Sequence, residues 1–292
     1  MPPVVIGPTV AIIGLSLAGN AVGDLMSVGY VGIICGIVTL LTVIICSVYG
    51  NKTLKLIPFI VGIAAGYIVA LLFGKVDFSA FSNMSWLPNF TFLEATKGIK
   101  ELNASYLLTI IIAYIPVAFV VFAEHIADHK NLSSIIGHEL LEDPGLHRTL
   151  LGDGVGSMVG AFFGGCPNTT YGESVACTAI SGNASVYVTI TTAVMAIVVS
   201  FIGPFTTLLA TIPSFVMGGV CVALYGFISV SGLKQLQRVD LNDNKNLFVV
   251  ASILVFGVGG FTLTFGKVTL TAVACSLIFG IIVNLITNRK VD

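Results

Sequence analysis

The sequence predicts an all-α polytopic membrane protein of the inverted-repeat transporter type, and three observations carry that prediction. Of the 292 residues, 56% are hydrophobic and only 9% charged, with a mean hydropathy of +1.02, whereas soluble domains carry roughly a quarter charged residues. The stretch Leu151–Ser181 then places a short apolar segment, a Gly/Pro/Asn/Thr break and a second short apolar segment in succession. Neither segment reaches the ~20 residues that a spanning helix needs. Non-helical backbone at membrane depth survives only where it is buried in protein or lines a cavity, so two interrupted segments carrying Asp153 and Glu173 mark a substrate site near the midplane. Finally, PPVVIGPTVAIIGLSLAG at Pro2–Gly19 resembles IPSFVMGGVCVALYGFISVSG at Ile212–Gly232, with Pro2 and Gly7 matching Pro213 and Gly218, each 211 positions further on. Two such repeats of inverted topology are the usual plan of a secondary transporter.

Hydropathy divides the chain into about ten apolar segments: Pro3–Ala21, Val28–Tyr49, Leu56–Phe73, Tyr106–Glu124, Gly152–Gly165, Tyr171–Ile180, Tyr187–Ile202, Ile212–Val230, Leu247–Phe261 and Val268–Ile286. The first has no basic flank and no small-residue cleavage site, which makes it a membrane segment and not a signal peptide. Alternating sides from an inside start puts nine cations in the cytoplasm (Lys52, Lys55, Lys130, Arg148, Lys234, Arg238, Lys245, Arg289, Lys290) and four outside (Lys75, Lys97, Lys100, Lys267). The positive-inside rule therefore expects both termini in the cytoplasm. The longest external loop is expected at Lys75–Ser105, with Asn83, Trp86, Pro88 and Asn89. The main cytoplasmic loop is expected at His125–Arg148, with a short amphipathic helix around Leu132–Leu141. Four segments, starting near Tyr106, precede Ile212 and none precedes Pro2, so the chain is expected to lack four segments of its first repeat.

Composition excludes several functions. A net charge of −1 and a pI near 6.4 give no basic surface for nucleic acid. The six cysteines form no CxxC pair and indicate neither a disulfide framework nor a zinc site; all but Cys166, beside the break, read as small core residues. No HExxH or GxSxG supports a membrane enzyme. An anion carrier or channel of the same architecture would favour basic or neutral residues over paired glutamates.

Four motifs carry a family resemblance: AEHIADH at Ala123–His129, DPGLHRTLLGDG at Asp143–Gly154, PNTTYGES at Pro167–Ser174 and IPSFVMGGV at Ile212–Val220. Together they resemble the uracil permease branch of the nucleobase and ascorbate transporter family, over essentially the whole chain. The resemblance implies fourteen segments in two inverted repeats of seven, divided into a core that holds substrate and a gate that moves against it. On that plan residues 1–75 are gate helices of an incomplete first repeat and 76–105 the external loop. Residues 106–205 are core helices of the second repeat with the substrate site, and 206–292 its gate helices. The implied activity is proton-coupled symport of uracil or a related nucleobase across the cytoplasmic membrane. A purine or xanthine permease, or an inactive truncated fragment, are the alternatives. Expected partners are the nucleobase, protons and the lipid bilayer, with a homodimer as the alternative to a single copy; no cofactor or metal is implied.

Glu124 and Glu173 match the family's substrate-binding glutamates. The chemistry agrees, because uracil is a planar amide with ring N–H donors and a carboxylate is a strong, charge-assisted acceptor. Tyr171 and Gly172 match positions beside the second glutamate, where backbone N–H groups at a half-helix N-terminus can bond ring carbonyls. Uracil permeases often carry histidine four residues after the first glutamate; Asp128 stands there instead, followed by His129. At i,i+4 Asp128 shares the face of Glu124, and two close carboxylates cannot both ionise easily, which suits proton coupling. An acid at this place resembles the purine branch. The competing readings are a helix-terminating Glu124 and a solvated Asp128. Ser174, Ala176, Ser181 and Gly182 also depart from the family's Asn, Gly, Thr and Arg. Asp153, Asn168 and Thr170 are expected to support the contacting residues, and His125, His138 and His147 to lie at interfaces or in loops.

Overall fold

Twelve α-helices, a 3-10 helix at Ser79–Asn83, a kinked helical turn at Leu141–Gly145 and one small hairpin lie within residues 2–86, 103–265 and 268–288, the part of the chain that the structure, a computed structural model, describes. In chain order the α-helices and strands are α1 (Pro3–Met26), α2 (Gly29–Tyr49), α3 (Lys52–Leu56), α4 (Pro58–Leu72), α5 (Ala104–Ile136), α6 (Leu146–Phe162), α7 (Gly172–Ser181), α8 (Val186–Ser200), α9 (Gly203–Ala210), α10 (Ser214–Leu236), α11 (Asn244–Val258), β1 (Leu263–Phe265), β2 (Val268–Leu270) and α12 (Ala272–Thr287). Among the described residues α1, α2, α5 and α10 are long and apolar enough to cross a membrane, while α8 and α9, bent by 87° at their junction, pass the same test only together. The chain is thus an all-α membrane protein apart from the hairpin. Most of the expected external loop, with Pro88, Asn89, Lys97 and Lys100, lies outside the described residues, as do Lys267, Arg289 and Lys290.

Three sequence expectations need correction. The helix expected to end at Glu124 continues for three more turns, so His125–Ile136 is α5 and neither a loop nor a separate amphipathic helix. No Gly or Pro stands between Pro116 and Gly137, and three of the polar residues that lower the hydropathy there, His125, Asp128 and Ser133, are buried. Gly137, at φ 71°, ends the helix in the left-handed conformation that glycine adopts without steric cost. Second, α6 begins at Leu146, before the expected Gly152, just after the turn at Leu141–Gly145. Third, hydropathy missed the hairpin, in which Leu263 pairs with Leu270 and Thr264 with Thr269.

The chain forms two compact units, one of Met1–Leu17, Thr91–Val175 and Tyr225–Asp292, the other of Ala18–Phe90 and Ala176–Leu224. In the first, Val5 and Ile12 of α1 pack with Val120 of α5, Val249 and Ile253 of α11 and Leu277 of α12. Ile6 and Val10 meet Ala123, Ile126 and Ala127 on the next turns of α5. Apolar packing thereby fixes the rotation of α5 at the turns that carry its acids. In the second unit Val31 and Cys35 of α2 pack with Ala70 of α4 and with Phe215 and Val216 of α10.

Between helices in lipid the usual hydrophobic drive is missing, and close backbone approach at small residues replaces it. A Cβ on Gly14 would run into the Tyr225 carbonyl and the Ser229 hydroxyl of α10. Gly7 lies against Gly232 and Leu236, and Gly218 against Ala21 and Asp24. The order is antiparallel, and a shift of 211 positions turns Gly7–Gly232 into Gly218–Ala21 with the helices exchanged. Gly14–Tyr225 is turned into itself.

Candidate functional site

The site is built around the second half of α5. Glu124 is half-buried and Asp128, one helical turn on, is only 4% exposed. Both acids lie inside the helix, so Glu124 does not terminate it and Asp128 is not solvated.

Between them His125, 1% exposed, is the most occupied side chain of the site. Its Nδ1 lies 2.9 Å from Asp153 Oδ2 and its Nε2 2.8 Å from Thr149 Oγ1. Thr149 and Asp153 are themselves one turn apart on α6, so the helical period aims both at one imidazole. Asp153 stands well inside α6 and not at its start. His129 Nδ1–H donates to the His125 carbonyl at 2.8 Å, and its ring stacks on His125 with centroids 3.9 Å apart. The sequence reading set His125 aside and passed over Thr149. The signal that could have found them is an unbroken helix through His125 together with two polar residues at i,i+4 in the next segment.

Beyond Phe162 the chain leaves the helix, turns at Gly164 (φ 84°) and stays irregular as far as Tyr171. This is the expected break. It folds back on α6: Gly165 N–H donates to the Gly160 carbonyl at 2.9 Å. The Ser157 hydroxyl lies 2.9 Å from both the carbonyl and Oδ1 of Asn168. Asn168 thereby ties the irregular stretch back onto α6. The hydroxyls of Thr169 and Thr170 are buried with no hydrogen-bond partner among the described residues.

The chain re-enters helix at α7, whose first residue, Gly172, stands next to Asp128: a Cβ built there would lie 3.4 Å from Asp128 Oδ1. The first N–H groups of a helix have no intrahelical acceptor and its N-terminus carries a partial positive charge. A buried carboxylate and a half-helix N-terminus thus share one place, suited to a small ligand that presents donors and acceptors along one edge. Tyr171 is exposed beside it. The Glu173 side chain lies outside the described residues. Among the described residues no group of three or more His, Cys, Asp or Glu could hold a metal ion.

Residues 1–266 match the model of the Permease family. The chain is 41% identical over 296 residues to the uracil permease of Bacillus caldolyticus, covering 98% of this chain and 67% of that protein. It is 38% identical over 301 residues to the uracil permease of Bacillus subtilis strain 168, with 98% and 68% covered. The uracil permease of Escherichia coli K12 is 36% identical over 294 residues, with 98% and 66% covered.

Proposed function

The chain belongs to the Permease family, and from that premise we propose that it carries uracil across the cytoplasmic membrane as a proton symporter. The observation that bears most weight is the meeting of the α7 N-terminus with the buried carboxylate of Asp128, one turn from Glu124. Uracil alternates ring N–H donors with carbonyl acceptors. Glu124 and Glu173 would take the donors, while the backbone N–H groups of Gly172 and Glu173 would serve a carbonyl, with Tyr171 covering the ring. Residues 106–205 would form the substrate-holding core, and 1–75 and 206–292 the gate.

Proton coupling would fall to Glu124 and Asp128. Two carboxylates a turn apart share charge poorly, so one proton stabilises the pair, and its release on the inner side would let substrate go. His125 supplies a second proton-holding group. Thr149 has one hydroxyl proton and two acceptors in reach, His125 Nε2 at 2.8 Å and the Leu146 carbonyl at 3.0 Å. With neutral imidazole the hydroxyl donates to Nε2; with imidazolium Nε2–H donates to the hydroxyl, which turns its proton to Leu146. Asp153 accepts from Nδ1–H in both states. The site would thus gain or lose a proton with no heavy atom moving.

The decisive variant is Glu173→Gln. The amide keeps the shape, loses the anionic acceptor and turns a donor toward the ring N–H. Uracil binding should be abolished while membrane insertion is intact, and binding within a few-fold of the parent would sink the assignment. Asp128 in place of histidine favours a second reading, a purine carrier; competition of labelled uracil uptake by xanthine decides between them.

A further inference from the structure

A polar cleft of ≈ 380 Å³ opens at the ends of α5 and α10, lined by Lys130, Ser133, Ser134, His138, Glu139 and Arg238 together with Gly137. We propose that it binds a phosphate group, as carried by the head of an anionic phospholipid or by a soluble phosphate. The cleft has two permanent cations and one carboxylate, Glu139, and Glu139 Oε1 already leans on the Leu141 N–H at 3.4 Å. Neither the Lys130 ammonium nor the Arg238 guanidinium makes an ion pair or hydrogen bond with any described residue. A helix-capping role does not account for them. Lys130 lies above the last turn of α5, which holds no basic residue, and Arg238 lies past the end of α10.

The remaining donors suit the same ligand. Ser133 Oγ accepts from the Leu140 N–H at 3.0 Å, so its own proton is free to donate into the cleft. His138 is anchored through Nε2 to the Asp143 carbonyl at 3.0 Å, and the Asp143 carboxylate, 3.5 Å from the same nitrogen, holds this ring instead of facing Lys130 or Arg238 as a partner. A guanidinium fork, a mobile ammonium and a hydroxyl are the donor set that recognises tetrahedral phosphate oxygens. Basic pockets between membrane helices at the headgroup level hold lipid phosphates by these contacts. The volume exceeds that of the phosphate alone and leaves room for the group attached to it. One turn away Asn131 Nδ2 donates to Ser231 Oγ at 3.1 Å and Gln235 Nε2 to Asn131 Oδ1 at 3.2 Å. A phosphate held by Lys130 and Arg238 would therefore brace a junction of α5 and α10 that is already polar.

The test uses the full-length protein purified in neutral detergent. Native mass spectrometry counts retained phosphatidylglycerol against phosphatidylcholine, and thermal unfolding is followed with inorganic phosphate and with uridine monophosphate. The variants are Lys130→Gln/Arg238→Gln and, as a control that removes two cations elsewhere, Lys234→Gln/Lys245→Gln. Phosphatidylglycerol retained by the parent and the control but weakened at least tenfold in the cleft variant establishes the site with a lipid as its source. A rise of several degrees with phosphate or the nucleotide, lost only in the cleft variant, establishes it with a soluble source. Equal loss in both variants reduces the effect to general charge attraction and overturns the proposal, as does no binding by the parent. Should the double variant fail to fold, Arg238→Gln against the charge-keeping Arg238→Lys decides by the same comparison.

Discussion

His125 is bonded at both ring nitrogens inside a membrane helix, which makes it a structural tie and, in the proposed mechanism, a proton site. His125→Phe keeps a ring of similar size against His129 but strands Asp153, while Thr149 keeps the Leu146 carbonyl as its acceptor. A partly buried polar group that loses its partner costs about 1–3 kcal/mol, so the variant should unfold several degrees below the parent in a detergent melt. Adding Asp153→Leu should recover part of that loss, because the stranded carboxylate goes with it; the double-mutant cycle measures the coupling. Asp128 has a different signature. If it shares a proton with Glu124, Asp128→Asn will move the pH profile of uracil uptake more than the affinity at the optimal pH. An unchanged profile would remove it from the coupling step.

Among the elements, α5 does the most positioning. Its 33 residues rise about 50 Å at ~1.5 Å per residue, well beyond the ~30 Å hydrocarbon layer. It therefore carries the acids in its second half and delivers Lys130 and Ser133 to the cleft at its end. Its packing partner α1 meets α10 at Gly14, where no side chain fits. Gly14→Val should prevent that approach and give a protein that aggregates on size exclusion, whereas Gly23→Ala on the same helix, with nothing within 4 Å of the new methyl, should leave the elution profile unchanged. Equal behaviour of the two would mean that the α1–α10 approach does not hold the fold together.

For the whole molecule the proposed topology makes a direct prediction. With both termini inside, a cysteine at Lys234 should react with an impermeant maleimide only from the cytoplasmic side, and one at Lys75 only from the outside, in a background without the six native cysteines. Labelling of both from the same side would overturn the sidedness, and with it the direction assigned to proton and substrate movement.

The sequence alone determined the membrane class, the order of most helices, the break between α6 and α7 and the motifs that carry the family. These follow from local properties: apolar runs long enough for lipid, Gly and Pro where the helix must stop, and short polar strings of fixed spacing. The 211-residue repeat was also legible, although only the antiparallel approach of α1 and α10 gave it a geometry. Hydropathy failed at His125–Ile136 because it scores a polar residue as water-facing, whereas His125, Asp128 and Ser133 are polar toward protein. The partners of His125 come from another helix, and the closeness of Gly172 to Asp128 depends on how the chain re-enters after the break. The cleft between Lys130 and Arg238 joins residues more than a hundred positions apart in sequence. Only tertiary structure decided those juxtapositions, since each depends on which face a helix turns to its neighbour, and that rotation is set by side-chain packing spread over several helices at once.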